Sequence, residues 1–260
     1  GVTVVDFASL YPSAIRNWNL SYDTLLCDHE DCKENLIPGT PHWVCKHRNG
    51  MTSTLIGSLR DLRVLWYKPL AKDQSLTDDQ RQYYHVVQQA LKVFLNASYG
   101  VFGAESFPLY CPPLAESTAA VGRYAMEEAG KKSEELGIHV LYGDTDSVFL
   151  DNPSKEQTDG LVQWADEALG IDLEVEQTYR YAVFSDRKKN YLGVYDDGHM
   201  DIKGLTGKKR HIPPILKNAF DELTRILSDV KTPDEFPAAK EDIKGLVQTV
   251  HDRLMEREFK

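Results

Sequence analysis

Three aspartates are spaced so that they could act together. Asp6 follows the run Val2-Thr3-Val4-Val5, while Asp144 and Asp146 lie two apart between the largely apolar runs Ile138–Leu141 and Val148–Leu150. Side chains two apart on a strand share a face. A hairpin tip carrying Asp144 and Asp146, set beside a strand ending at Asp6, would therefore gather three carboxylates at one sheet edge. Like charges that close repel strongly unless a cation lies between them, and oxygen ligands select a hard divalent ion. Mg²⁺ keeps waters and substrate phosphates among its ligands. Two such ions about 3.5–4 Å apart clamp the attacking and leaving oxygens of a phosphoryl transfer. Asp-Thr-Asp is also ordinary turn chemistry, so spacing alone leaves a plain turn open.

Other groups invite similar readings. Wound at 100° per residue, His85, Gln88, Lys92, Asn96 and Tyr99 fall within about 40° of Lys92, with Val87, Ala90, Phe94 and Ala97 opposite. Such a stripe is by default a solvated face. Arg187-Lys188-Lys189 and Lys208-Lys209-Arg210 are local basic clusters. Cys27, Cys32 and Cys45 crowd with His29, His42 and His47, which leaves free thiols and zinc both open.

The elements that must position these residues follow from the same pattern. The chain predicts a buried strand over Val2 to Phe7, then a short helix through Trp18 with Pro12 at its first position. Cys27 to Gly50 reads as a loop. Leu55, Leu59, Leu62 and Trp66 mark one side of a helix over Thr54 to Tyr67, which Lys68-Pro69 ends or bends. Thr77-Asp78-Asp79-Gln80 fits a capping box opening a longer helix to about Ser98, so the two form a helical hairpin. A helix near Ala115 to Leu136 stops at Gly137 and leads into the acidic-tipped hairpin. Asn152-Pro153 opens a helix that Gly170 ends. Strand is expected around Leu173, Val175 and Tyr179 to Phe184, a hairpin over Tyr191 to Lys203, and helix in the last fifty residues.

Composition bounds the whole. The chain has 260 residues, 42% hydrophobic and 27% charged, which suits one or two globular domains and excludes wholesale disorder. No stretch approaches the ~18 apolar residues of a membrane span, and no basic n-region marks a signal peptide. Four cysteines suit a reducing compartment or one or two local staples. A first residue of Gly rather than Met, with a strand pattern at once, is expected of a piece of a longer chain. The net charge of −10 has the wrong sign for gripping nucleic acid through bulk charge, so any such contact must be local.

The residues around the aspartates carry a specific resemblance. Asp6-Phe7-Ala8-Ser9-Leu10-Tyr11-Pro12-Ser13 resembles motif A of the family-B DNA polymerases. Lys92-Val93-Phe94-Leu95-Asn96-Ala97-Ser98-Tyr99-Gly100 resembles motif B, with one extra residue before the serine, and Tyr142-Gly143-Asp144-Thr145-Asp146-Ser147 resembles motif C. Lys188-Lys189-Asn190-Tyr191 is similar to their KKxY element and is followed by Lys203-Gly204-Leu205. These four motifs stand in the family's order over about 200 residues and look most like the archaeal replicative branch.

The resemblance implies an α+β fold: a palm with an antiparallel sheet flanked by helices (1–50 and 100–205), helical-hairpin fingers (51–99) and the start of a helical thumb (206–260). It implies template-directed DNA synthesis, with transfer of a nucleotidyl group from a dNTP to a primer 3′-OH by two Mg²⁺ ions. Asp6 and Asp146 would bridge both ions and Asp144 would be the outer ligand. Backbone N–H groups of Ser9, Leu10 and Tyr11 would bind the triphosphate, and the Tyr11 ring would exclude a ribose 2′-hydroxyl. Lys92 would supply charge, Asn96 a hydrogen-bond donor and Tyr99 a surface under the nascent base pair. Arg63, with Arg60 one turn earlier, would face the same phosphates. The family places a Lys four residues after that Arg. Tyr67 stands there instead, so either Lys68 compensates from a shifted angle or the contact is missing.

Lys188, Lys189, Tyr191 and Lys203 would contact the primer–template duplex without reading its sequence. Lys208-Lys209-Arg210 would extend that track. Thr206 and Lys209-Arg210-His211 depart from the acid and Arg-Arg-Asp run that the family often carries there. Archaeal relatives often have a disulfide in the cysteine loop, with Cys32 and Cys45 at the similar positions. Free thiols are thus expected first, that disulfide second, and zinc at Cys27, Cys32 and Cys45 last. Nothing resembles the family's exonuclease motifs and residues 206–260 are short for a whole thumb, so a fragment or one subunit of a split polymerase is expected; without a full thumb, weak duplex affinity and low processivity are expected. The alternative is a DNA-binding scaffold that is inactive alone. A separate exonuclease or N-terminal polypeptide and a sliding clamp are the implied partners, and cytoplasmic, nucleoid-associated the implied location. Tyr11 and the Lys92–Asn96 helix disfavour an RNA-making palm enzyme.

Overall fold

In the computed structural model, which describes residues 1–257, an α+β architecture forms around two sheets. Val5–Val148 with Ser154–Glu174 make one compact unit. Gly1–Val4, Phe149–Pro153 and the chain from Val175 onward make another. Strand β1 (Val2–Phe7) is central in a four-stranded sheet ordered β2-β3-β1-β4, with β2 at Val140–Asp144, β3 at Ser147–Asp151 and β4 at Leu173–Tyr179. Its central place explains why four of its six residues are buried and why no clean alternation shows in the sequence.

Helix α1 (Leu10–Asn17) follows β1 almost at once. Pro12 is its third residue, not its first; it is tolerated there because first-turn N–H groups have no intrahelical acceptor anyway. Helix α2 (Met51–Asp61) continues into a π-helical turn, Leu62–Tyr67, and a short α3 (Lys68–Leu70). Pro69 therefore does not end the helix. A π turn (i→i+5 bonding) shifts the carbonyls that an α-helical Pro ring would strike. Ser53, Ile56, Gly57 and Arg60 form the buried side of α2, whereas Leu55, Leu62 and Trp66 on the expected apolar side are exposed. The capping box holds: Thr77 accepts from the Gln80 N–H and opens α4 (Asp78–Phe102), a turn longer than expected.

Helix α5 (Pro112–Glu135) completes this unit's main core, in which Ile15, Ile56, Leu95, Phe102, Leu114 and Val121 meet. Helix α6 (Lys155–Trp164) is capped by Ser154 and Gln157 in the same reciprocal way.

In the other unit, β5 (Tyr181–Phe184), β6 (Tyr191–Val194) and β7 (Met200–Lys203) pair antiparallel. Helices α7 (Pro214–Asp229) and α8 (Phe236–Met255) contribute Leu223, Leu227 and Ile243 to the cluster around Leu192 and Val194. Among the described residues no helix is long and apolar enough to cross a membrane.

Gly204 ends this sheet at φ +66°, where a Cβ would collide with the Lys189 carbonyl oxygen. Only glycine meets both demands, and the position ties the loop before β6 to the end of β7. Gly204→Ala should cost about 1–3 kcal/mol. Urea unfolding checks this, and an unchanged midpoint would contradict the close approach.

Candidate active site

The carboxylate constellation begins with backbone hydrogen bonds. The Phe7 N–H donates to the Asp146 carbonyl at 2.9 Å, and the Ala8 N–H donates to the Asp172 carbonyl at 2.9 Å. The end of β1 is thus held on both sides, with Asp6 one residue from the Asp146 contact. Asp144 closes β2, and the Asp146 N–H folds back to its carbonyl at 2.7 Å. Ser147 Oγ donates to that same carbonyl at 3.2 Å. Thr145, between the two aspartates, takes the left-handed region at φ 58°. Asp6, Asp144 and Asp146 therefore share one end of the sheet, and each is half-buried. This all-oxygen set, open enough for waters and phosphates, fits hard divalent cations.

Ser9 also lies at φ 58°, directly before α1. A left-handed non-glycine backbone is costly and collects where a fold imposes a special geometry; both acidic segments contain one. Ser9 turns the chain so that α1 starts next to β1, and the early N–H groups of α1, including those of Leu10 and Tyr11, lie at the helix's positive end. Leu10 is buried, whereas Tyr11 is half-buried. The Tyr11 ring stacks on Tyr99 with centroids 4.3 Å apart and planes 20° apart. Its other neighbour is Gly122 of α5, where a Cβ would stand 3.0 Å from Tyr11 Cε1. Nothing in the sequence around Gly122 signals this seat.

On α4, Lys92 and Asn96 are exposed on the turns leading to half-buried Tyr99. Gln88, expected in the same solvated stripe, is buried instead, and Phe94 on the opposite side is exposed. The helix packs through Gln88, Leu95, Ser98 and Phe102.

Arg63 explains Gln88. It is buried, its Nε donates to the Gln88 carbonyl at 3.3 Å, and its Nη1 donates to Ser9 Oγ at 2.8 Å. Burial pulls its guanidinium below the ordinary arginine range, partly offset by Glu174. Arg63 thereby links both arms of the hairpin to the start of α1. Arg60 is occupied by Asp61 at 3.0 Å and by Asp172, so it does not share Arg63's outlook. Lys68 follows directly after the π turn over Leu62–Tyr67. Its ammonium meets Glu174 Oε1 at 2.7 Å, and Glu174 is the carboxylate whose charge also acts on Arg63.

The second basic group is built in the other unit. Lys188 and Lys189 occupy the exposed loop before β6, and exposed Lys203 is the register partner of Tyr191. Tyr191, expected with them among the duplex contacts, opens β6. It is buried, with its ring 4.9 Å from Phe149 and 6.2 Å from Phe184. It anchors the strand from which the lysines project.

Residues 1–260 match the protein-family model for DNA polymerase family B. The chain is 46% identical over 263 residues to a DNA polymerase 1 from Sulfurisphaera ohwakuensis, which covers 99% of this chain and 30% of that protein. It is 45% identical, with the same coverage, to a DNA polymerase 1 from Saccharolobus solfataricus. The solved structure of the family B DNA polymerase from the hyperthermophilic archaeon Pyrobaculum calidifontis aligns at a TM-score of 0.78 and 30% identity. That alignment covers 100% of this chain and 33% of that one. The chain spans about 30% of the curated relatives it matches. On its motifs, its fold and a match along its whole length, this chain belongs to DNA polymerase family B.

Proposed function

We propose that the chain carries the nucleotidyl-transfer centre of a DNA-directed DNA polymerase, adding dNTPs to a primer 3′-OH. The observation that carries this reading is the Phe7 N–H···O Asp146 bond, which sets Asp6 beside the Asp144–Asp146 turn. Asp6 and Asp146 would hold two Mg²⁺ ions, with Asp144 as the outer ligand. When bound, such ions supply Lewis-acid stabilisation of the attacking and leaving oxygens.

The protein's own groups orient the nucleotide. The backbone at Ser9, Leu10 and Tyr11 offers N–H donors and a helix N-terminus to the triphosphate. Lys92 adds a mobile point charge suited to a tail that leaves as pyrophosphate, and Asn96 adds a donor. Arg63 fixes Ser9 and the hairpin, while Lys68 is held by Glu174 until a phosphate competes. Tyr11, wedged between Tyr99 and Gly122, presents a fixed edge that a 2′-hydroxyl would strike. Tyr99 also lies under the incoming base pair. Lys188, Lys189 and Lys203 would take duplex phosphates.

A second reading rests on the chain's span of about 30% of its relatives. It is one part of a larger or split polymerase that binds DNA yet is inactive alone. Primer extension separates the two. The first reading expects Mg²⁺-dependent extension by this chain, lost at least about 100-fold in Asp6→Ala and in Asp146→Ala. Extension that survives both substitutions would refute the site. Primer–template binding without extension, by the wild type, favours the scaffold.

Two further outcomes test the pocket. Tyr11→Ala should lower discrimination against ribonucleotides at least about tenfold, measured as kcat/KM for dNTP over rNTP; unchanged discrimination removes Tyr11 as the gate. Lys68→Ala should raise the KM for dNTP several-fold while Tyr67→Ala leaves it alone. The reverse pattern would contradict Lys68 as the phosphate contact.

A further inference from the structure

The polymerase reading makes no use of the densest cluster of metal-ligating side chains in the described residues, which lies in the loop between α1 and α2. Cys27, His29, Cys32 and Cys45 each bring one ligand atom within 4.8 Å of all the others. Cys27, Cys32 and Cys45 are buried and unoxidised, packed against Trp43, and His29 covers the solvent side. Two isolated bridges, Leu25 with Val44 and Leu36 with Trp43, are almost all the regular pairing this loop has. We propose that these four residues form a structural zinc site of the Cys₃His type.

The geometry favours a metal over the alternatives. With Zn–S near 2.3 Å and Zn–N near 2.0–2.1 Å, tetrahedral ligands put sulfur and nitrogen about 3.6 Å apart. Cys45 Sγ and His29 Nδ1 are 3.6 Å apart. Backbone N–H groups point at the sulfurs, from Lys46 to Cys32 Sγ at 3.3 Å and from His47 to Cys45 Sγ at 3.4 Å. Thiolates need such donors, because three of them around one Zn²⁺ leave a net negative centre. Of the other two histidines, His42 is bonded to Glu116 at 2.8 Å, and His47, whose ligand atom also lies within 4.8 Å of those of Cys32 and Asp31, is bonded to Asp31 at 2.7 Å. That leaves one imidazole and three sulfurs, a complete four-ligand set with no open position, as structural rather than catalytic zinc requires. Binding would release the thiol protons to solvent and contribute directly to folding of an otherwise irregular segment.

The test uses the chain purified under reducing conditions. Elemental analysis should find about one zinc per chain. Exchange with Co²⁺ should give a thiolate-to-cobalt charge-transfer band and the intense visible bands of tetrahedral cobalt. Cys45→Ser should lose the metal. His29→Ala, at an exposed position, should keep the wild-type circular dichroism while weakening zinc at least about tenfold. A chelator should lower the unfolding temperature of the wild type. No stoichiometric metal, stoichiometric iron in place of zinc, a Cys32–Cys45 disulfide in the purified chain, or zinc that survives Cys45→Ser would each overturn the assignment.

Discussion

Three carboxylates at one sheet edge are the constraint on which this structure turns. Carboxylates placed together in a half-buried setting repel, so the fold must set their placement. The fold does so with the backbone. The carbonyls of Asp146 and Asp172 grip the end of β1 from both sides, and the Asp144–Asp146 turn closes on itself through Thr145. Left-handed Ser9 and Thr145 are local costs, about 1–3 kcal/mol each for such conformations. The surrounding sheet and helix bear that cost. Oxygen ligands confined this way suit a hard divalent cation, as the proposed phosphoryl-transfer chemistry would need.

The same economy of placement governs the nucleotide side. Arg63 is buried, and its bonds to the Gln88 carbonyl and to Ser9 Oγ join the π turn after α2, α4 and the head of α1. Lys68, just past the π turn after α2, is held by Glu174. The Tyr11–Tyr99 stack joins motif A to motif B, and Gly122, where a Cβ would stand 3.0 Å from Tyr11 Cε1, leaves room for the ring. The proposed selection against a ribose hydroxyl would need a ring held in this way.

Much of this was legible in the sequence. The buried strand, the capping box at Thr77, the helical hairpin and the acidic-tipped hairpin all follow from local pattern. The neighbourhood of Asp6 and Asp146 was legible only through motif content, because strand order depends on pairing across about 140 residues that no local signal encodes. The π turn has no local mark, since Leu62–Tyr67 reads as plain helix. The faces of α2 and α4 were misjudged for a shared reason: buried Arg60, Arg63 and Gln88 are polar, so hydropathy assigned those faces to solvent. All four residues of β6 are buried, so no alternation in the sequence marks Tyr191 as core. The convergence of Cys27, His29, Cys32 and Cys45 was hidden by a spacing that matches no standard knuckle.

Manganese located by anomalous scattering, in crystals with primer–template and a non-reactive dNTP analogue, tests the central claim most directly. The account predicts two manganese peaks at the end of β1, each within about 2 Å of carboxylate oxygens from Asp6 and Asp146. Manganese bound only elsewhere, or Asp6 and Asp146 directed away from a shared ion, would contradict it.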